Sequence, residues 1–188
     1  MNMDRLVIKQ ILGNEQVTQY YVVSLIGKTL VLLIAPINTI VISYLTKRKE
    51  RLTRSQFGKA VLAGGGVSLA FFVACQIGTP LFVWLFYRNL YESVKGIVTV
   101  VNLAQILGLF SAFLFILVLT FTDERWQLWI QLAHFCILLV SSVLAARTYG
   151  MMGFAVASLG ANSLRVAAVV ILGIVKAGKD KGDRNADR

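Results

Sequence analysis

Long apolar stretches, rather than alternation or a heptad, organise this chain. Residues 60–87, 96–122 and 126–146 contain no Asp, Glu, Lys or Arg. Two further stretches, near each end of the sequence, are interrupted by a single charge apiece, Lys28 and Arg165. A helix rising 1.5 Å per residue needs roughly 20 apolar residues to cross ~30 Å of hydrocarbon. The pattern therefore predicts five transmembrane helices, at about 20–45, 58–86, 96–121, 127–146 and 151–175. Helices are required because an open strand edge would leave backbone groups unpaired in lipid. The expected fold class is all-α, a polytopic membrane helix bundle spanning 20–175. Residues 1–19 are expected to form a segment on the outer side, without the apolar region or cleavage site of a signal peptide. The tail 176–188, "KAGKDKGDRNADR", mixes charge signs with almost no apolar residues and is expected to be disordered.

Composition supports the membrane class. The 188 residues are 57% hydrophobic, too much for a soluble domain of this length to cover. Mean hydropathy is +0.72. The net charge of +10 would suggest nucleic acid in a soluble protein. Here it fits loops facing an anionic leaflet, with no nucleic-acid partner implied. Numbering the span ends alternately places twelve basic residues on one side: Lys47, Arg48, Lys49, Arg51, Arg54, Lys59, Arg125, Lys176, Lys179, Lys181, Arg184 and Arg188. The other side holds five: Arg5, Lys9, Arg88, Lys95 and Arg147. The richer side is expected in the cytoplasm, which puts the N-terminus outside and the C-terminus inside. The basic link from Lys47 to Lys59 is expected to meet anionic headgroups and fix topology. Tyr20, Tyr44, Trp84, Tyr87, Trp126 and Tyr149 fall near span ends, as interfacial aromatics do.

Polar residues inside the spans carry whatever chemistry there is. Lys28 lies about eight residues from its span's outer end, ~12 Å deep, within reach of a snorkelling anchor. Arg165 lies about ten residues from the inner end, ~15 Å deep, where snorkelling is harder. It reads either as a packing partner of a carbonyl or carboxylate, or as a functional charge. Ser158, Asn162 and Arg165 share one helix face, and Gly153, Ala157 and Ala161 form a small-residue row beside them. Tyr21, Ser24 and Lys28 make a similar face on the first helix. Asn102 with Gln105, and Gln131 with His134, add polar positions on two more. Polar stripes on four helices suggest an aqueous cavity, although interhelical hydrogen bonds would also account for the uncharged ones. Pro36 and Pro80 inside spans, with "AGGGVS" at 63–68, allow bends.

Catalysis finds no support in the sequence. There is one histidine, His134, read as a hydrogen-bonding core residue, and the spans hold no paired carboxylates. Cys75 and Cys136 both lie in apolar runs and read as buried thiols, with no metal-ligand spacing. No cofactor is expected.

The stretch "MDRLVIKQILGNEQVTQYYVVSLIGKTLVLLIAPINTIVISYLTK" resembles part of the bacterial polysaccharide flippases of the multidrug, oligosaccharidyl-lipid and polysaccharide exporter superfamily. Asp4-Arg5, Leu12-Gly13 and Tyr20-Tyr21 carry the likeness, followed by a long apolar helix and a basic loop. "GTPLFVWLFYRNLYESVKGI" is similar to a helix–outer loop–helix segment of that family, with Tyr87 where a glycine often stands. "RTYGMMGFAVASLGANSLR" resembles the opening of a late helix through Gly150, Gly153 and Ala155. The likeness extends over about residues 2–175.

That resemblance implies the last five helices of a twelve-helix exporter, with an N-terminal lobe outside this chain, in the bacterial cytoplasmic (inner) membrane. The implied function is flipping an undecaprenyl-pyrophosphate-linked oligosaccharide to the outer leaflet. The cargo's anionic pyrophosphate would be met by Arg165 and Lys28, with Asn162, Ser158, Ser24, Asn102 and Gln105 lining the cavity. A drug/cation antiporter of the same superfamily would be expected to use membrane carboxylates, and Glu92, Asp123 and Glu124 lie between the spans. A non-transporting scaffold or accessory subunit is the other alternative. It predicts that Lys28 and Arg165 face neighbouring helices or lipid interfaces instead of one cavity.

Overall fold

The computed structural model describes residues 3–47, 53–119, 122 and 124–177, and among these the regular structure is helical throughout. The helices are α1 (Met3–Leu12), α2 (Asn14–Lys47), α3 (Arg54–Phe86), α4 (Arg88–Val94), α5 (Val98–Leu119) and α6 (Glu124–Ala177). Three stretches are long and apolar enough to cross a membrane: Arg54–Phe86, Val98–Leu119 and Arg125–Ala177. The expected first span falls within α2, which starts earlier than expected, at Asn14. Several side chains of its second half, and residues 48–52 of the basic link, lie outside the described residues. So does the tail beyond Ala177.

Local chemistry explains the joints. Gly13, at φ 95°, separates α1 from α2 in a conformation that side chains rarely adopt. Thr53 caps α3 reciprocally: its hydroxyl accepts from the Gln56 amide at 3.4 Å, and Gln56 Oε1 accepts from the Thr53 amide at 3.2 Å. Pro36 and Pro80 both sit inside continuous helices. The segment expected as an outer loop after α3 contains the short helix α4.

α6 is not one rod. Gly150 has φ 61° and ψ −143°, far from helical values. Contacts on either side of it pair residues nearly equidistant from the break. The Lys176 ammonium lies 5.6 Å from the Trp126 ring centre. His134 meets Asn162 at 3.2 Å. Gly153 lies directly against the Ala145 carbonyl. The two arms, 124–149 and 151–177, therefore run antiparallel as a hairpin that turns at Gly150. This matches the expected boundary between the segments at 127–146 and 151–175.

α5 is the central element, packed against α2, α3 and α6. Two apolar clusters sit at opposite ends of it. One gathers Ile8, Tyr20, Val23, Val83, Val98 and Phe154 near α1, α4 and the Gly150 turn. The other gathers Phe57, Leu114, Leu117, Val118 and Val169. Glycines let helices close in: a Cβ at Gly64 would strike the Phe113 ring, and one at Gly173 the Phe57 ring. The exterior is apolar instead. Only 11% of the most apolar window of α3 is buried inside the bundle, and 6% of that in α6, against 39% for α5. Leu62, Leu69 and Ile77 on α3, and Leu128, Leu132 and Leu144 on α6, face outward. Cys136 is also on that exterior, which corrects its reading as a buried thiol; Cys75 is buried. A protein in water would not display this much greasy side chain, whereas lipid accepts it.

The described basic residues lie toward both ends of the bundle. Lys59 and Lys176 belong to the Phe57 end, where α3 begins beside the last turns of α6. Arg5, Arg88 and Lys95 lie on or beside α1 and α4 at the other end.

Candidate functional site: a polar layer around α5

Between the two apolar clusters, α5 presents polar contacts to three neighbours within about two turns. Asn102 turns toward α3. Its Nδ2 donates to the Cys75 carbonyl at 3.1 Å and to Gln76 Oε1 at 3.0 Å, and its Oδ1 accepts from the Thr79 hydroxyl at 3.3 Å. Gln76 in turn donates to Thr99 at 2.9 Å. This network adjoins Pro80, whose missing N–H leaves the carbonyl four residues back without its helical donor. Gln105 turns toward α2, donating to the Ser24 carbonyl at 3.3 Å. Gly27 makes that approach feasible, since a Cβ there would fall 2.6 Å from Gln105 Oε1. The Ser24 hydroxyl is fully buried and donates back to the Tyr21 carbonyl at 3.1 Å.

The second arm of α6 completes the layer. Asn162 Nδ2 donates to the Ala104 carbonyl at 2.8 Å, and Asn162 lies against Gly108, where a Cβ would come within 3.3 Å. Its Oδ1 faces His134 Nε2. Ser158, one turn earlier, is buried. Bringing Asn162 and His134 together depends on the Gly150 hairpin, because they lie 28 residues apart on what would otherwise be one long helix.

The two embedded cations differ in their surroundings. Lys28 has a counter-ion: its ammonium donates to Asp4 Oδ2 at 2.5 Å, with side-chain exposures of 27% and 20%. Tyr20 lies beneath the ammonium at 5.8 Å, and the neighbouring Arg5 guanidinium stacks 4.0 Å over Tyr21. A buried charge costs far less when paired, so Asp4 gives Lys28 a structural reason for its position. Arg165 has no such partner. Its guanidinium lies 5.4 Å from the Phe115 ring, and its Nε is buried without a hydrogen-bond partner among the described residues.

The expected residues thus split into three roles. Asn102, Gln105 and Ser24 tie α5 to α3 and α2. Asn162 lines the seam between α5 and the second arm, and Ser158 is buried one turn earlier. Lys28 is neutralised, and Arg165 has no counter-ion among the described residues. Two participants escaped the sequence reading: Asp4, noted only within a motif, and the Cys75–Gln76–Thr79 ladder opposite Asn102. Asp4 was detectable as the one carboxylate in the segment before Glu15. The ladder depends on the register of α3 against α5, which no local pattern encodes.

A shallow cleft of about 130 Å³ adjoins the Asn102–Gln76–Thr99 network at the α4 end, lined by Gln76, Pro80, Tyr91, Lys95 and Thr99 among others. Lys95 there pairs with Glu92 at 2.5 Å, and that hydrogen bond holds its ammonium above the usual lysine range. Among the described residues, no three His, Cys, Asp or Glu side chains come together as a metal site would require. Compared with protein-family models, curated proteins and solved structures, the chain matches none.

Proposed function

We propose that this chain is the second lobe of a bacterial inner-membrane flippase that moves an undecaprenyl-pyrophosphate-linked oligosaccharide outward for surface polysaccharide synthesis. Its five spans are α2, α3, α5 and the two arms of α6. Arg165 carries the reading: a guanidinium against the Phe115 ring, its Nε buried and unpaired among the described residues, is expensive unless an anion visits it. A guanidinium fork matches phosphate oxygens two at a time, which an ammonium does not. Lys28, already bound to Asp4, acts as a secondary site that opens only if that pair separates. The basic end of the bundle faces the cytoplasm and its anionic headgroups.

The test is binding of undecaprenyl pyrophosphate to the detergent-purified chain, followed by native mass spectrometry with uncharged undecaprenol as control. Arg165→Gln abolishes binding of the pyrophosphate lipid, and Arg165→Lys keeps part of it. Equal binding by Arg165→Gln sinks the proposal. Vesicles holding this chain alone do not flip the lipid, because a transporter of this kind rocks two lobes around a shared site.

A scaffold reading draws on a different observation. Asn102 and Gln105 are consumed by helix-to-helix hydrogen bonds, and the Ser24 hydroxyl by its own helix, as they would be in a purely structural bundle. It leaves Arg165 without a role. The antiporter reading gains nothing: Asp4 is paired with Lys28, and Glu92 with Lys95 near the bundle's end.

A further inference from the structure

We infer that His134 is a proton site linked to the anion site at Arg165, so that a proton from the bulk is taken onto His134 Nδ1 as the anion binds. This inference rests on the Arg165 reading above and adds a coupled ligand to it.

The hydrogen-bond pattern fixes which nitrogen is available. Asn162 Nδ2 donates to the Ala104 carbonyl, which sets the direction of the amide. The oxygen left facing His134 accepts only, so Nε2 of the neutral ring carries the hydrogen of the 3.2 Å contact. Nδ1 is then the open position, and protonating it leaves the bond to Asn162 intact. His134 can therefore change charge without a rearrangement of the helix seam.

Arg165 lies three residues beyond Asn162, on the same side of the second arm. Among the described residues, the elements packed against α6 bring no counter-charge to this level. α5 contributes Ala104, Gly108 and Phe115, which do not titrate. The charged residues of α3, Arg54 and Lys59, lie in its first turns. Those of α1, Asp4, Arg5 and Lys9, lie at the opposite end, with Asp4 held by Lys28. On the first arm itself the nearest titratable group is Cys136, on the exterior. A proton on His134 would thus share this seam with Arg165, like charge with like, and among the described residues nothing offsets it. An anion on Arg165 removes that obstacle. Reciprocity then requires the proton to strengthen anion binding by the factor that the anion strengthens proton binding.

The chain has one histidine, so ¹⁵N-histidine NMR of the full chain in detergent micelles reports this ring alone. Adding undecaprenyl pyrophosphate at neutral pH is expected to convert the singly protonated ring to the doubly protonated form. Affinity for that lipid is expected to fall by about tenfold per pH unit above the ring's titration, the slope for one linked proton. In His134→Gln the lipid still binds, but without that slope, which separates the ring from titration of the lipid phosphate. Equal slopes in wild type and His134→Gln overturn the proton site and leave the anion site standing. If the lipid does not bind wild type at any pH, the flippase reading fails, and the ring is tested without ligand. Removing the guanidinium in Arg165→Gln should then let His134 protonate at higher pH than in wild type. An unchanged titration overturns the linkage as well.

Discussion

Alanine at Gly150 isolates the energetic cost of the hairpin that brings Asn162 to His134. At φ 61° and ψ −143° the backbone occupies a region that is essentially glycine-only, where a side chain costs about 1–3 kcal/mol. A Cβ at Gly150 would meet nothing within 4 Å, so the penalty is conformational, with no packing contribution. Gly160 supplies the matched control: it is an exposed glycine within the second arm, and a Cβ there also meets nothing. Alanine at Gly160 should stabilise the helix by roughly 0.5–1 kcal/mol. The two substitutions add the same methyl group and are expected to differ by about 1.5–4 kcal/mol, with opposite signs relative to wild type. At about 2–4 °C per kcal/mol for a chain of this size, the melting temperatures separate by roughly 3–16 °C. Thermal unfolding in detergent, followed by tryptophan fluorescence, measures this. Equal melting of Gly150→Ala and Gly160→Ala would refute a turn at Gly150 and, with it, the antiparallel arms.

Gly153→Ala is expected to be worse still in the same assay, since its Cβ would collide with the Ala145 carbonyl oxygen and come within 2.8 Å of Tyr149 Cβ. Asn102→Leu removes three hydrogen bonds between α5 and α3, at about 0.6 kcal/mol each in a membrane bundle. A loss of about 1–2 kcal/mol is expected, and no loss would show that the ladder is incidental. Asp4→Asn and Lys28→Gln are each destabilising, and the double variant recovers part of the loss. The partial exposure of the pair sets a coupling of about 1–2 kcal/mol, between surface and buried pairs. With Cys75 and Cys136 replaced by serine, an impermeant maleimide applied outside should label a cysteine at Asn89 and miss one at Lys49. The reverse pattern overturns the orientation.

How much was legible in the sequence depends on the range of the interaction concerned. Uncharged runs gave α3, α5 and the arms of α6 within a few residues, because hydrophobic length is a local property. The start of α2 was misplaced because Asn14–Gln19 is polar, and its helicity comes from continuity with the apolar stretch behind it. Ser158, Asn162 and Arg165 were correctly placed on one face, since 3.6-residue periodicity is also local. Which partner each face meets was not legible. Asn102 was read as a wet position, yet its amide is spent on α3, because the α3–α5 register brings Cys75, Gln76 and Thr79 opposite it. Lys28 was weighed as an anchor or an anion ligand. Neither reading included Asp4, 24 residues earlier, whose approach requires the break at Gly13 to fold α1 back along α2.

The contrast between the two cations separates the competing readings of the bundle. Were embedded charge here only a device for fastening helices, Arg165 should resemble Lys28, with a carboxylate in reach and an aromatic beneath it. It has the aromatic, Phe115, without the carboxylate. The polar layer is otherwise economical: Asn102, Gln105 and Asn162 find partners on neighbouring helices, and the Ser24 hydroxyl finds one on its own. A polar layer that satisfies these four residues and leaves the Arg165 Nε unpaired among the described residues carries a cost that packing does not explain. An anionic ligand does explain it. The position of His134 on the same seam then gives that ligand a way to bring a proton with it.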